Sequence, residues 1–95
     1  MAALHFRFVG KIVDVSDNGK MGFVLKNSIS REDGGELGLT IERDVYVNLT
    51  SFKNPGIDRN FRLHNDMEIA FLLGVSPNEP GQLTAERCFY PIRRR

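Results

Sequence analysis

The chain predicts an all-β fold, a small five-stranded antiparallel barrel with Greek-key connections, and three observations carry that expectation. Five segments alternate apolar and polar residues with the period of two that strands require. Clusters of Gly, Pro, Asn, Asp and Ser separate them, and no stretch holds a helical period of 3.6 for long. At 95 residues the chain suits one core and is too short for two. Hydrophobic residues make up 41% and charged residues 26%, the composition of a globular protein rather than a disordered one. We read one domain over residues 1–95, with its core at about 6–90, an insertion at 27–39 and a basic tail at 91–95.

The first strand runs from Phe6 to Val15, with Phe6, Phe8, Gly10 and Ile12 on one parity and Gly10 placed for a bend. Ser16-Asp17-Asn18-Gly19 is turn chemistry. Its Asn-Gly pair tolerates positive φ and closes a hairpin into the second strand, Lys20 to Lys26. Residues 27–39 include Ser28, Ser30, Asp33, Gly34, Gly35 and Gly38 and keep neither period, so they form a long loop between strands two and three. Such a loop is either a tolerated surface insertion, since added loop length is cheap, or a functional one. Alternation resumes from Thr40 to Leu49. Ser51 to Asn65 contains Pro55-Gly56 and reads as a long connection across the barrel with room for one short helical turn. Met67, Ile69, Phe71 and Leu73 form the stripe of a fourth strand; Gly74 to Gly81 is turn-rich, and Gln82 to about Phe89 is the last strand.

Two of these strands carry the candidate site. Met21 and Phe23 share one face of the second strand while Gly22 and Val24 share the other. In the third, Val45, Val47 and Leu49 read as core, so Tyr46 and Asn48 point outward. If the strands are neighbours, Met21, Phe23, Tyr46 and Asn48 meet on one outer surface. Unpaired bases stack on such rings, because every base has a π-face. Lys11, Lys20 and Lys53 flank the surface as candidate phosphate contacts. The plainer reading is that Met, Phe and Tyr cover a barrel against loops or another protein, with the lysines as solvated charges. Phe52 and Phe61, in the long connection, read as caps of the barrel.

The stretch from Gly10 to Val24, GKIVDVSDNGKMGFV, resembles the opening of a cold-shock domain, and DVYVNLTSF, from Asp44 to Phe52, resembles its second nucleic-acid-binding motif. Leu63 to Phe71 looks like the fourth strand with its preceding turn, and Pro80 to Cys88 like the fifth. The resemblance covers nearly the whole chain in order. It implies a barrel of the oligonucleotide-binding (OB) type, a single-stranded RNA partner and no cofactor. The departures fall on the binding face. Asp14 and Val15 stand where the family usually has tryptophan and phenylalanine, and Lys20-Met21-Gly22-Phe23 where it has Gly-Phe-Gly-Phe. Tyr46 and Asn48 stand where phenylalanine and histidine are common, and Leu49 where a third aromatic is usual. Residues 27–39 replace a much tighter turn, an insertion of roughly ten residues. The chain therefore resembles the degenerate cold-shock domains interspersed with ordinary ones in multi-domain translation regulators. A carboxylate at the Asp14 position repels phosphate by about 1 kcal/mol at contact in water-like dielectric, unless a lysine across the sheet neutralises it.

Charge limits the strength of any such binding. The 13 Lys and Arg nearly balance the 12 Asp and Glu, and a net charge of +1 supplies no long-range field for nucleic acid. Arg93-Arg94-Arg95 is the densest basic run. Cys88 is the one cysteine, which excludes an internal disulfide and a multi-cysteine zinc site, and its apolar strand makes it a small buried hydrophobe. His5 and His64 lack metal-ligand spacing, no glycine-rich phosphate loop opens a helix, and no nucleophile motif is present, so neither an enzyme nor a metal site is expected. No run approaches the ~18 apolar residues of a membrane span, and Arg7 interrupts the short apolar start, so a cytoplasmic location is expected.

The leading expectation is a weak single-stranded RNA-binding module of a larger post-transcriptional or translational regulator. Two alternatives stand beside it. One is a cold-shock-like domain that binds no RNA and serves as a protein-interaction or spacer module, motivated by the missing first-strand aromatics. The other is a single-stranded DNA-binding OB barrel, since such folds share stacking logic without sharing sequence.

Overall fold

A computed structural model describes residues 7–52 and 60–90. Among them are six strands, β1 (Phe8–Val13), β2 (Met21–Val24), β3 (Ser30–Arg31), β4 (Val45–Asn48), β5 (Glu68–Val75) and β6 (Leu83–Phe89). Two single 3-10 turns, Lys26–Ser28 and Leu49–Ser51, are the only helical elements among the described residues. Strand β1 pairs with β2 and with β5, β2 pairs with β4, β4 with β6 and β6 with β5. The ring β1-β2-β4-β6-β5 closes on β1, so five strands form a barrel without a free edge. Four of its seams are antiparallel, as expected, and the fifth, β4 against β6, is parallel with Tyr46 opposite Thr84. The Greek-key return brings β6 alongside β4 in the same direction, the arrangement of an OB-type barrel.

The period-two stripes face inward. Phe8, Ile12, Val24, Val45, Val47, Ile69, Phe71 and Cys88 are all essentially without solvent exposure, and each large apolar side chain so buried contributes about 1.5–3 kcal/mol. Gly10 lies in the same layer because a Cβ there would overlap the Val24 methyl Cγ1 and crowd Ile29. Burial, with a smaller effect from the Glu86 charge, pushes the Cys88 thiol up to about 12. It is therefore a packing residue and not a nucleophile at neutral pH.

Three local features differ from the sequence reading. The first concerns residues 27–39, which are more ordered than a bare loop. Ser28 Oγ donates to the Leu25 carbonyl at 2.6 Å and accepts from the Lys11 amide at 2.9 Å. Strand β3 pairs Arg31 with Phe8 and Ser30 with Val9. Strand β2 covers only Ile12 and Val13 of β1, so β3 satisfies the edge that β2 leaves open. Arg31 then grips Asp33 with two guanidinium nitrogens, and its hydrogen bond holds the Asp33 carboxyl below the usual carboxylate range. Leu37, Leu39 and Ile41 pack against the core.

The second difference is that Thr40 to Asp44 is not strand. Asp44 Oδ1 accepts from the Lys26 amide at 2.9 Å and the Asp44 carbonyl accepts from Gln82 Nε2 at 3.0 Å, so residue 44 is tied by side-chain contacts instead of a ladder. The third is at the end of β1, which stops at Val13 rather than Val15. Val13 pairs with Phe23, while the Ser16 amide bonds the Met21 carbonyl at 2.9 Å. Asp14 and Val15 therefore oppose Gly22 alone, a bulge, with Asp14 at φ +54°. Phe6, Pro55, Gly56 and the 91–95 tail lie outside the described residues.

Candidate nucleic-acid interface

The turn between β1 and β2 sets the position of the site. Ser16 Oγ donates to Asn18 Oδ1 at 2.7 Å and accepts from the amides of Lys20 and Met21 at 3.3 and 3.2 Å. Gly19 takes φ +70° and its carbonyl accepts from the Leu63 amide at 2.8 Å, which pins the hairpin to the segment before β5. From there β2 runs against β4 with Met21 opposite Asn48, Gly22 opposite Val47, Phe23 opposite Tyr46 and Val24 opposite Val45. Gly22, Val24, Val45 and Val47 are buried, so Met21, Phe23, Tyr46 and Asn48 form a two-by-two block on the outer face.

Within that block the groups touch. The rings of Phe23 and Tyr46 lie 5.8 Å apart between centroids at 71°, edge to face, a pairing worth about 0.5–1.5 kcal/mol. The Tyr46 hydroxyl faces Met21 Sδ at 3.8 Å and accepts from Asn48 Nδ2 at 3.1 Å. Met21 keeps 42% of its surface in solvent. Asn48 has a further task. Its Oδ1 accepts from both the amide and the hydroxyl of Thr50 at 3.0 Å and caps the 3-10 turn Leu49–Ser51. Asn48→Ala is expected to cost about 1 kcal/mol of stability, read as a lower urea midpoint. Asn48→Asp, which keeps the acceptor, should lose less.

The row continues on both sides. Val13 stands opposite Phe23 on β1, and Thr84 stands beside Tyr46 on β6. The position next to Phe23 is thus held by Val13, and Asp14 occupies the bulge. This corrects the placement of residue 14 that the resemblance implied, and one extra residue in the strand is its cause. Lys11 is exposed on β1, paired across the sheet with Glu68, and Lys20 is exposed at the start of β2. Neither lysine is in an ion pair among the described residues. Lys53 lies outside the described residues. Phe52 and Phe61 pack together at 5.4 Å and Phe61 meets Tyr90 at 5.8 Å, away from the block, as caps of the barrel.

Thr84 and Glu86 were missed in the sequence reading of the site, although their alternation with buried Ala85 marks both as outward. Glu86 Oε2 accepts from Thr84 Oγ1 at 3.4 Å. Exposed charges of both signs border the face, with Lys20 before β2, Lys11 opposite Glu68 at the β1–β5 seam, and Glu86 followed by Arg87 on β6. At the turn end, Ser16, Asp17, Asn18, Arg62, His64 and Asn65 border an open cleft of about 320 Å³.

No family model matches the chain, and no curated protein is similar enough to count as a relative. Among the described residues no helix is long and apolar enough to cross a membrane, and no group of three or more His, Cys, Asp or Glu is placed to hold a metal ion.

Proposed function

We propose that this chain is a weak single-stranded RNA-binding module, a degenerate cold-shock-like domain that works in the cytoplasm as part of a larger post-transcriptional or translational regulator. The observation that carries the reading is the Phe23–Tyr46 pair, two half-exposed rings edge to face on adjacent strands of an OB-type barrel. Rings inclined at 71° cannot both stack on neighbouring bases that are themselves stacked. A bound strand must splay its bases, which favours single strands over duplex. Each ring supplies roughly 1–3 kcal/mol, and the net charge of +1 adds little, so binding is weak. The preference for RNA rests on the resemblance. Matched DNA and RNA oligomers separate it from the DNA alternative, because only RNA offers the 2′-hydroxyl.

A second reading, the protein-interaction module, draws on the polar groups of the block. Asn48 is committed to capping Thr50 and the Tyr46 hydroxyl already has a partner, which leaves Met21, Phe23 and Val13 as an apolar patch. Fluorescence anisotropy with a labelled, unstructured RNA octamer at two salt concentrations decides between the two. Saturable binding that weakens with a slope of about one or two phosphate contacts supports the RNA reading. No change at millimolar protein removes it.

Repair of the face gives a further expected result. Val13→Trp places a large π-surface opposite Phe23 and should raise RNA affinity by about tenfold, within the stacking scale of ~1–3 kcal/mol. Asp14→Trp should not match it, because residue 14 sits at φ +54°, a backbone region that costs a bulky side chain roughly 1–2 kcal/mol. Asp14→Asn, which tolerates that region, isolates the effect of removing charge. Equal affinities of the Val13→Trp variant and the parent would show that this face does not meet RNA.

A further inference from the structure

We propose that Glu86 selects the base held on Tyr46, and that the preferred base is guanine. The inference rests on the RNA-binding reading above and concerns the same face. Thr84 stands in register with Tyr46, and Thr84 Oγ1 donates to Glu86 Oε2 at 3.4 Å. Across the next seam, Gly74 pairs with Thr84, and a Cβ at Gly74 would overlap the Glu86 carboxylate. The carboxylate thus lies over the bare backbone of Gly74, steadied by the Thr84 hydroxyl and separated from Tyr46 on the neighbouring strand by the side chain of Thr84. It is in no ion pair among the described residues, so acceptor capacity remains on it.

A carboxylate only accepts, and its two oxygens suit two adjacent donors. In a single strand the Watson–Crick edges are open. Guanine presents N1–H beside the N2 amine, a two-donor edge. Adenine and cytosine offer one amine next to an acceptor, and uracil one N–H between two carbonyl oxygens. Guanine is the base whose edge pairs with both carboxylate oxygens at once, and a bidentate pair of this kind discriminates by about tenfold or more. The placement of Lys20 and Glu86 fits the same orientation. Lys20 lies on the β2 side, Lys11 on β1 opposite the exposed Glu68, and Glu86 on β6 ahead of the exposed Arg87, so a strand with its phosphates toward Lys20 turns its base edges toward the Glu86 carboxylate. Glu86 is then remote from the phosphates that it would repel.

The test uses the full chain and three labelled RNA octamers, uridine tracts with a central guanosine, inosine or adenosine, read by anisotropy. The guanosine octamer is expected to bind about tenfold more tightly than the other two, since inosine lacks the N2 amine. Glu86→Gln should bring it to their level. Gly74→Ala should do the same while keeping the charge, because the added methyl displaces only the end of a flexible side chain. If the parent binds all three octamers alike, Glu86 does not select and the RNA-binding reading stands without it. If Glu86→Gln tightens all three equally, the carboxylate acts only as a repelling charge and the proposal is overturned. If none of the three binds, the RNA-binding reading itself has failed.

Discussion

Under the proposed function, replacing Phe23 and Tyr46 together with alanine abolishes measurable binding of single-stranded RNA and leaves the barrel folded. Each ring contributes roughly 1–3 kcal/mol by stacking, so the pair accounts for about 2–6 kcal/mol. A loss of that size weakens binding by about 30-fold to more than 10⁴-fold, which moves a ligand held at tens of micromolar to about a millimolar or beyond. The barrel survives because both side chains are half-exposed on its outer face and the core residues behind them, Val24, Val45 and Val47, are untouched. The edge-to-face contact that disappears is worth only about 0.5–1.5 kcal/mol. Anisotropy titration gives the binding loss, and a thermal melt confirms that the variant is folded. Retention of parental affinity within threefold would remove the two rings from the interface.

Phe71→Ala carries the largest effect on stability. Phe71 is fully buried, it stands opposite Phe8 across the β1–β5 seam, and the two rings are 6.2 Å apart. Truncation leaves a cavity in the middle of the barrel, and buried phenylalanines of this kind cost about 3–5 kcal/mol. Against a total of roughly 5–15 kcal/mol for a small domain, the variant is marginal. Urea unfolding should show a much lower midpoint at an unchanged slope. A loss under about 1 kcal/mol would be incompatible with a closed seam at this position. The outer face of β2 and β4 would still be intact in the folded fraction, which separates this variant from the aromatic double substitution.

The sequence was most informative where one face of a strand is buried. Met67, Ile69 and Phe71, or Val45 and Val47, alternate cleanly because every second residue must enter the core. That parity brought Met21, Phe23, Tyr46 and Asn48 to one surface, and the β2–β4 register places them side by side. Alternation from Ile12 turns Val13 outward, beside Phe23, and it is the resemblance that placed residue 14 there; beyond Val13 parity fails, because Asp14 and Val15 together oppose Gly22. Strand β3 was illegible for a different reason. Ser30 and Arg31 have no strand-like pattern, and they pair because β1 offers an uncovered edge, a cause that exists only in three dimensions. The same holds for the parallel β4–β6 seam, and through it for Thr84, whose place beside Tyr46 comes from chain crossing and not from local composition.

The most direct measurement is an amide chemical-shift titration of the labelled chain with an unstructured RNA octamer. Binding through this face moves the amides of Val13, Met21 to Phe23, Tyr46 to Asn48 and Thr84 to Glu86 together, on one saturation curve that shifts to higher RNA concentration as salt is added. Unchanged spectra at millimolar RNA, or shifts confined to residues 60–65 at the turn end of the barrel, would contradict it.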